Sequence, residues 1–170
     1  MDSAYKKERE QMEKYLTLLQ IIFAGAIAWV SDRLGILFPL LCVLCVLMIA
    51  DYFTGMAASK AEALDHPGDK KYGWDSKKGA RGILKKVGYM AVIAAAVALD
   101  YVIMVMASQM GLDVQKSVFF GLLATAWYIL NELLSITENA GRMGADVPDW
   151  LARYIAALKD KIDDKGDGAE

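Results

Sequence analysis

Histidine is nearly missing from this chain. His66 is the one instance, and it sits beside Pro67 and Gly68 in a polar stretch, where a turn position suits it better than catalysis. Without a His/Cys cluster there is no material for a metal centre or an imidazole acid–base pair. Cysteine is limited to Cys42 and Cys45, at i, i+3 spacing inside an apolar run. A disulfide scaffold would place them in loops, so they read as buried small apolar residues. Proline occurs only three times, and no Val/Ile/Thr-rich alternation stands out, which points to an all-α chain. Gly79-Ala80-Arg81-Gly82 is too short for a phosphate loop and reads as close packing. No nucleophile–base–acid arrangement is present in the pattern. The chain is therefore not expected to be an enzyme, and no cofactor, metal or nucleic-acid partner is expected. The first 14 residues mix Lys6, Lys7, Arg9 and Lys14 with Glu8, Glu10 and Glu13, so a cleaved leader is not expected either.

What the chain has in abundance is apolar sequence: 56% of its 170 residues, with a mean hydropathy of +0.28. That length allows one compact unit rather than two large domains. Four apolar runs predict transmembrane helices at about residues 15–30, 36–58, 87–110 and 117–134. The first covers only about 22 Å against a hydrocarbon core of about 30 Å, so an interfacial helix is its alternative. Ser31-Asp32-Arg33-Leu34-Gly35 leaves room for a tight helical hairpin. The second helix is expected to continue to Leu64 before Asp65-His66-Pro67-Gly68-Asp69 breaks it. Asp75 or Ser76 caps the next. Pro148 opens a final helix whose Leu151, Tyr154, Ile155, Leu158 and Ile162 share one face. That amphipathic helix is expected on the membrane surface or against a partner. The predicted architecture is an integral membrane protein of helical hairpins: four transmembrane helices plus a C-terminal amphipathic helix. Residues 1–145 form its membrane domain, with a cytoplasmic loop at 59–86, and residues 146–170 its amphipathic helix and acidic tail.

Basic residues set the orientation. They number 4 before the first run, 1 in the first turn, 8 in the central segment, 1 in the third turn and 5 after the fourth run. Lysine and arginine are retained on the cytoplasmic side, so this alternation predicts four spans with both termini in the cytoplasm. A solvated loop of a soluble bundle is the competing reading of the central segment, but its flanks are too long and too apolar. Lys77, Lys78, Arg81, Lys85 and Lys86 are candidates for contact with lipid headgroups.

Ionisable groups inside spans are costly and so carry functional expectations. The candidates are Asp51, Asp100, Asn131, Glu132 and Glu138. At 1.5 Å per residue, Asp51 and Glu132 each lie about 24 Å from the outer turns, hence at a similar depth near the cytoplasmic side. Pairing with Arg81 or Lys85 is favoured there over lining a pore. Asp100 falls in the outer half and is expected to face a helix or water rather than lipid. Gly55, Ala94, Ala98, Gly121 and Thr125 are candidates for close helix packing, within one subunit or between subunits.

Several segments in order carry a resemblance: Asp51-Tyr52-Phe53-Thr54-Gly55, Ser76-Lys77-Lys78-Gly79, Gly82-Ile83-Leu84-Lys85-Lys86, Leu99-Asp100, and Asn131-Glu132-Leu133-Leu134-Ser135-Ile136-Thr137-Glu138-Asn139 with Gly144, Val147 and Pro148. Over about residues 37–151 the chain resembles the phage-lysis and toxin-secretion holins. The resemblance implies a small phage or prophage protein of the bacterial host cytoplasmic membrane, and the four-span, multi-pass reading rests on the basic-residue alternation. Such a protein forms homo-oligomers in the lipid bilayer and opens pores that release an endolysin, without necessarily touching it. Toxin release is the related role. The competing class is a small membrane ion channel or transporter with acidic intramembrane sites. A transporter should show internal repeats, and Asp51-Tyr52 against Asp100-Tyr101 is only a weak echo. A membrane scaffold recruiting a partner is a third reading.

Overall fold

The computed structural model describes residues 2–69, 72–112 and 118–167. Among them lie five helices: α1 (Asp2–Leu34), α2 (Leu37–Asp65), α3 (Ser76–Gln109), α4 (Phe119–Arg142) and α5 (Asp149–Asp167). Four segments are long and apolar enough to cross a membrane: Glu8–Asp32 within α1, and all of α2, α3 and α4. The chain divides into two compact units, Met1–Pro39 and Leu40–Glu170.

In the first unit, α1 runs well beyond the apolar run at 15–30, because its charged N-terminal residues are also good helix formers. Leu16, Leu19, Ile22 and Phe23 on its apolar stretch are all exposed. The helix ends where Gly35 takes a φ of +51° and its N–H bonds to the Ser31 carbonyl at 2.8 Å. A left-handed residue closes a helix in this way, and glycine adopts it without a Cβ clash.

In the second unit, α3 and α4 pack directly against each other, and α5 packs on α4. Lys86 near the start of α3 meets Glu132, while Asp100 meets the start of α4, so the two helices are antiparallel. Connections from α2 to α4 join Asp51 to Asn139 and Glu62 to Arg142. These two helices therefore run the same way, with α3 opposed to both. Gly79 is buried, and a Cβ there would come within 3.0 Å of the Trp74 ring and 3.2 Å of the Tyr52 hydroxyl. The missing side chain lets Tyr52 of α2 reach the α3 backbone.

Cys42 and Cys45 are exposed rather than buried. They lie on an outward face of α2 that also carries Val43, Val46 and Ile49. The exterior of a membrane helix is as apolar as a core, so apolar neighbours do not imply burial within the chain. His66 does occupy a turn, stacked on Tyr72 with ring centroids 4.0 Å apart.

Asp75 is the N-cap of α3. Its carboxylate accepts the N–H groups of Lys77 at 2.6 Å and Lys78 at 3.0 Å. The bond from Lys78 is the foremost cause holding the Asp75 carboxyl below its ordinary value. A depressed folded-state pKa means the stabilisation is fully present above the ordinary aspartate value. It is lost as pH falls through the lower folded-state value. In detergent micelles, the protection of the Lys77 and Lys78 amides relative to an unstructured peptide at the same pH should therefore hold at neutral pH and fall below about pH 4. Asp75→Asn should remove that pH-dependent loss; an unchanged profile would show that the cap does not control the first turn.

Candidate functional site

Three helices contribute to one continuous polar network. Lys86 of α3 donates to Asp51 Oδ2 of α2 at 2.8 Å and to Glu132 Oε2 of α4. The side chain of Glu132 is 2% exposed, that of Lys86 14% and that of Asp51 18%, so the three charges are largely withdrawn from the surroundings. Asn139 Nδ2 donates to the other Asp51 oxygen at 3.1 Å and to Thr54 Oγ1 at 3.3 Å. Arg142 Nη1 then donates to Asn139 Oδ1 at 2.9 Å. The same guanidinium grips Glu62 through Nε at 2.8 Å and Nη2 at 2.9 Å. Charge and hydrogen bonding thus pass without a break from Glu132 to the end of α4.

Gly55 makes this crossing possible. A Cβ there would stand 3.4 Å from Asn139 Nδ2, leaving little room for anything larger. Beside the network a cavity of about 210 Å³ is lined by Asp51, Tyr52, Ser59, Trp74, Lys86 and Asn139, among others. Its polar walls provide several hydrogen-bonding positions for water.

A second polar contact lies towards the opposite end of α4. The N-cap position, Val118, supplies no side-chain bond. Asp100 of α3 provides the acceptors instead, taking the N–H of Phe120 at 3.0 Å and of Gly121 at 2.8 Å. Both oxygens accept, which is the bonding pattern of a carboxylate at a helix N-terminus. Thr125 Oγ1 closes back onto the Gly121 carbonyl at 2.7 Å.

A third contact joins α3, α4 and α5. Asn131 donates to Tyr89 Oη at 2.8 Å and accepts from Lys159 Nζ at 3.2 Å. The Lys159 ammonium also stands 4.5 Å from the centroid of the Trp127 ring, within cation–π range.

The bacteriophage holin family profile matches residues 28–160, most of the chain. The chain belongs to the bacteriophage holin family. An uncharacterized protein of Halalkalibacterium halodurans is 32% identical over 148 residues, covering 87% of this chain and 96% of its own. A 14.9 kDa protein from the nagH 3′ region of Clostridium perfringens is 32% identical, covering 79% of this chain and 94% of its own. An uncharacterized protein of Listeria innocua is 31% identical, covering 72% of this chain and 74% of its own. No solved structure matches the chain.

Within this holin-family chain, the structure sorts the residues singled out from sequence. Asp51 and Glu132 meet on one cation, but that cation is Lys86 rather than Arg81 or Lys85. Lys86 consequently points inward, away from the headgroup role expected for it. Lys77, Lys78, Arg81 and Lys85 are exposed, with Lys85 5.6 Å from the Tyr89 ring centroid. Asn131 joins the α5 contact, whereas Glu138 is exposed and lies off the network. Gly121 and Thr125 are buried within the chain, but Ala94 and Ala98 are exposed. Asn139, Thr54 and Lys159 were not among the sequence candidates. Glu132, Ser135 and Asn139 follow i, i+3, i+7 spacing, which puts Asn139 on the ion-bearing face.

Two outcomes follow for this protein in detergent. Lys86→Met strands Asp51 and Glu132 together and should cost on the order of 3–5 kcal/mol, the penalty of breaking a buried pair. Replacing all three, with Asp51→Asn and Glu132→Gln added, should recover most of that loss. Unfolding by a rising mole fraction of dodecyl sulfate measures both, and equal stability of the single and triple variants would dissociate Lys86 from the two carboxylates. Asp100→Ala should cost about 1–3 kcal/mol for each backbone donor left unpaired. Asp100→Asn, which keeps one acceptor, should cost less in the same titration; a wild-type midpoint for Asp100→Ala would rule out a stabilising cap.

Proposed function

We propose that this protein oligomerises in the bacterial cytoplasmic membrane and opens pores through which an endolysin reaches the cell wall. The observation that carries the proposal is the internal satisfaction of its intramembrane charges. Asp51 and Glu132 share the Lys86 ammonium inside a single chain, and Asp100 is bound to the start of α4. A chain built this way can accumulate in lipid without presenting those charges to hydrocarbon. On α2 before Asp51 and on α3 beside Asp100 the outward side chains include the apolar Val46, Ile49, Val102 and Ile103.

The basic residues before α1's apolar stretch and in the α2–α3 connection support an orientation with both in the cytoplasm, and the antiparallel α3–α4 pair then returns the α4–α5 connection to the same side. The functional partner is an endolysin that passes through the lesion without having to bind it. Assembly uses the exposed small-residue pair Ala94 and Ala98, where another helix can approach closely. Gly121 serves packing inside the chain.

Inducible expression in a bacterium, with dye entry and release of a cytoplasmic enzyme followed together, tests this reading. Sudden dye entry with passage of folded protein is the expected result. Selective ion flux without protein release would instead support a channel, and no permeability change would leave neither pore function standing. Ala94→Leu should delay the onset and weaken crosslinked oligomers while leaving the dodecyl sulfate midpoint unchanged. Unaltered crosslinking and onset would place assembly on another face.

A further inference from the structure

α5 runs back along α4. Lys159 meets Asn131 and Trp127, and four residues on, Asp163 lines a cavity with Phe120, Leu123 and Ala124. Since Leu123 and Trp127 precede Leu134 by 11 and 7 positions, this part of α5 lies about 10 to 16 Å inward from Leu134 along α4. That is well inside a hydrocarbon layer about 30 Å thick.

The two sides of α5 differ in chemistry. Ile155 is buried, and Leu151, Leu158 and Ile162 are half-buried, but Asp160, Lys161 and Asp163 are exposed. None of those three has a side-chain hydrogen bond or ion pair among the described contacts. Three charges facing hydrocarbon at this depth would be expensive. At comparable depths the exposed side chains of α3 are Val92, Ala94, Ala95 and Ala98. The second unit therefore has one exterior that suits lipid and another that requires water. Lys159 does not relieve that requirement, because its ammonium is already engaged by Trp127 and Asn131.

We propose that, in the assembled state, α5 remains docked on α4 and its Asp160–Lys161–Asp163 face lines the aqueous lumen. This inference rests on the pore-forming reading and identifies the surface that water meets. The expected consequence is an amphipathic lining supplied by a helix outside the four membrane-crossing segments. The ion network centred on Lys86 can then remain intact when the lumen fills.

The test uses the full chain in proteoliposomes, with Cys42 and Cys45 replaced by Ala. A bimane fluorophore is attached at Lys161→Cys, with Ala145→Cys in the α4–α5 connection and Val102→Cys on α3 as references. A second variant, Leu123→Cys/Ile162→Cys, is treated with a short bifunctional thiol reagent to read docking, and release of an enclosed dye reports lesions. In dye-releasing vesicles, the expected result is a loss of fluorescence to iodide at Lys161 matching that at Ala145. Brominated lipid should quench Val102 but not Lys161, and the double-cysteine variant should crosslink. Iodide quenching without crosslinking would put α5 in the aqueous phase away from α4. Quenching by brominated lipid would put its outer face in the bilayer. Either result overturns the lumen assignment while the pore reading stands. Failure to release dye would overturn the pore reading and, with it, this inference.

Discussion

One ammonium group ties α2, α3 and α4 together in the second unit. Lys86 is held between carboxylates from two other helices, and each helix can satisfy its own charge only in the presence of the others. In a low-dielectric setting a lone buried charge is penalised heavily. The ammonium therefore fixes the register of α2, α3 and α4 more strictly than apolar packing could. A slide of one helix by a turn would separate a charge from its partner. Buried ion pairs are weak evidence for net stability, because removal from water offsets much of their attraction. Their contribution here is specificity: a single arrangement satisfies all three groups. Asn139 and Arg142 extend that arrangement towards the cytoplasmic end proposed for α4.

The same constraint explains how α2 is attached. The close backbone packing lies between α3 and α4 and between α4 and α5. α2 is joined largely by side chains that bridge a wider gap, with the Asn139 amide seated against Gly55 and the Tyr52 hydroxyl against Gly79. Long polar side chains can connect helices whose axes are farther apart than small-residue packing permits. A cavity beside Asp51 and Asn139 accompanies that spacing. At the other end, Asp100 acts across helices as the cap that Val118 does not provide. Polar groups thus fasten α3 to α4 near both ends.

The helices were legible in the sequence because apolar length, turn residues and caps are local signals. Asp75, Gly35 and the break after Asp65 needed little information beyond their own segments. The similar depths of Asp51 and Glu132 also followed from counting residues along two helices. Which lysine would lie between them did not. Lys77, Lys78, Arg81, Lys85 and Lys86 crowd one stretch of α3, and only the rotation of that helix against α2 and α4 distinguishes Lys86. The inward position of Asn139 is likewise a tertiary fact, despite its helical spacing from Glu132. Cys42, Cys45, Ala94 and Ala98 show a further limit. In a membrane helix, small or apolar residues serve equally well against protein and against lipid, so periodicity does not reveal which they meet.

If the chain forms the pore proposed above, these arrangements restrict how that lesion can acquire a wet lining. The exposed side chains of α3 from Val87 to Met106 are apolar or tyrosine, and those of α2 from Cys42 to Ala57 are apolar. Rotating those surfaces towards water would give a hydrophobic channel. Opening the Lys86 network would provide charged groups, but at the expense of the contacts that define the three-helix register. α5 offers a route without that loss: its apolar side is already covered by α4, and its other side is charged. A lining drawn from α5 would let lumen formation proceed by association of intact chains. The internal ion network would then keep each chain's helices in register while another part of the same unit meets the water.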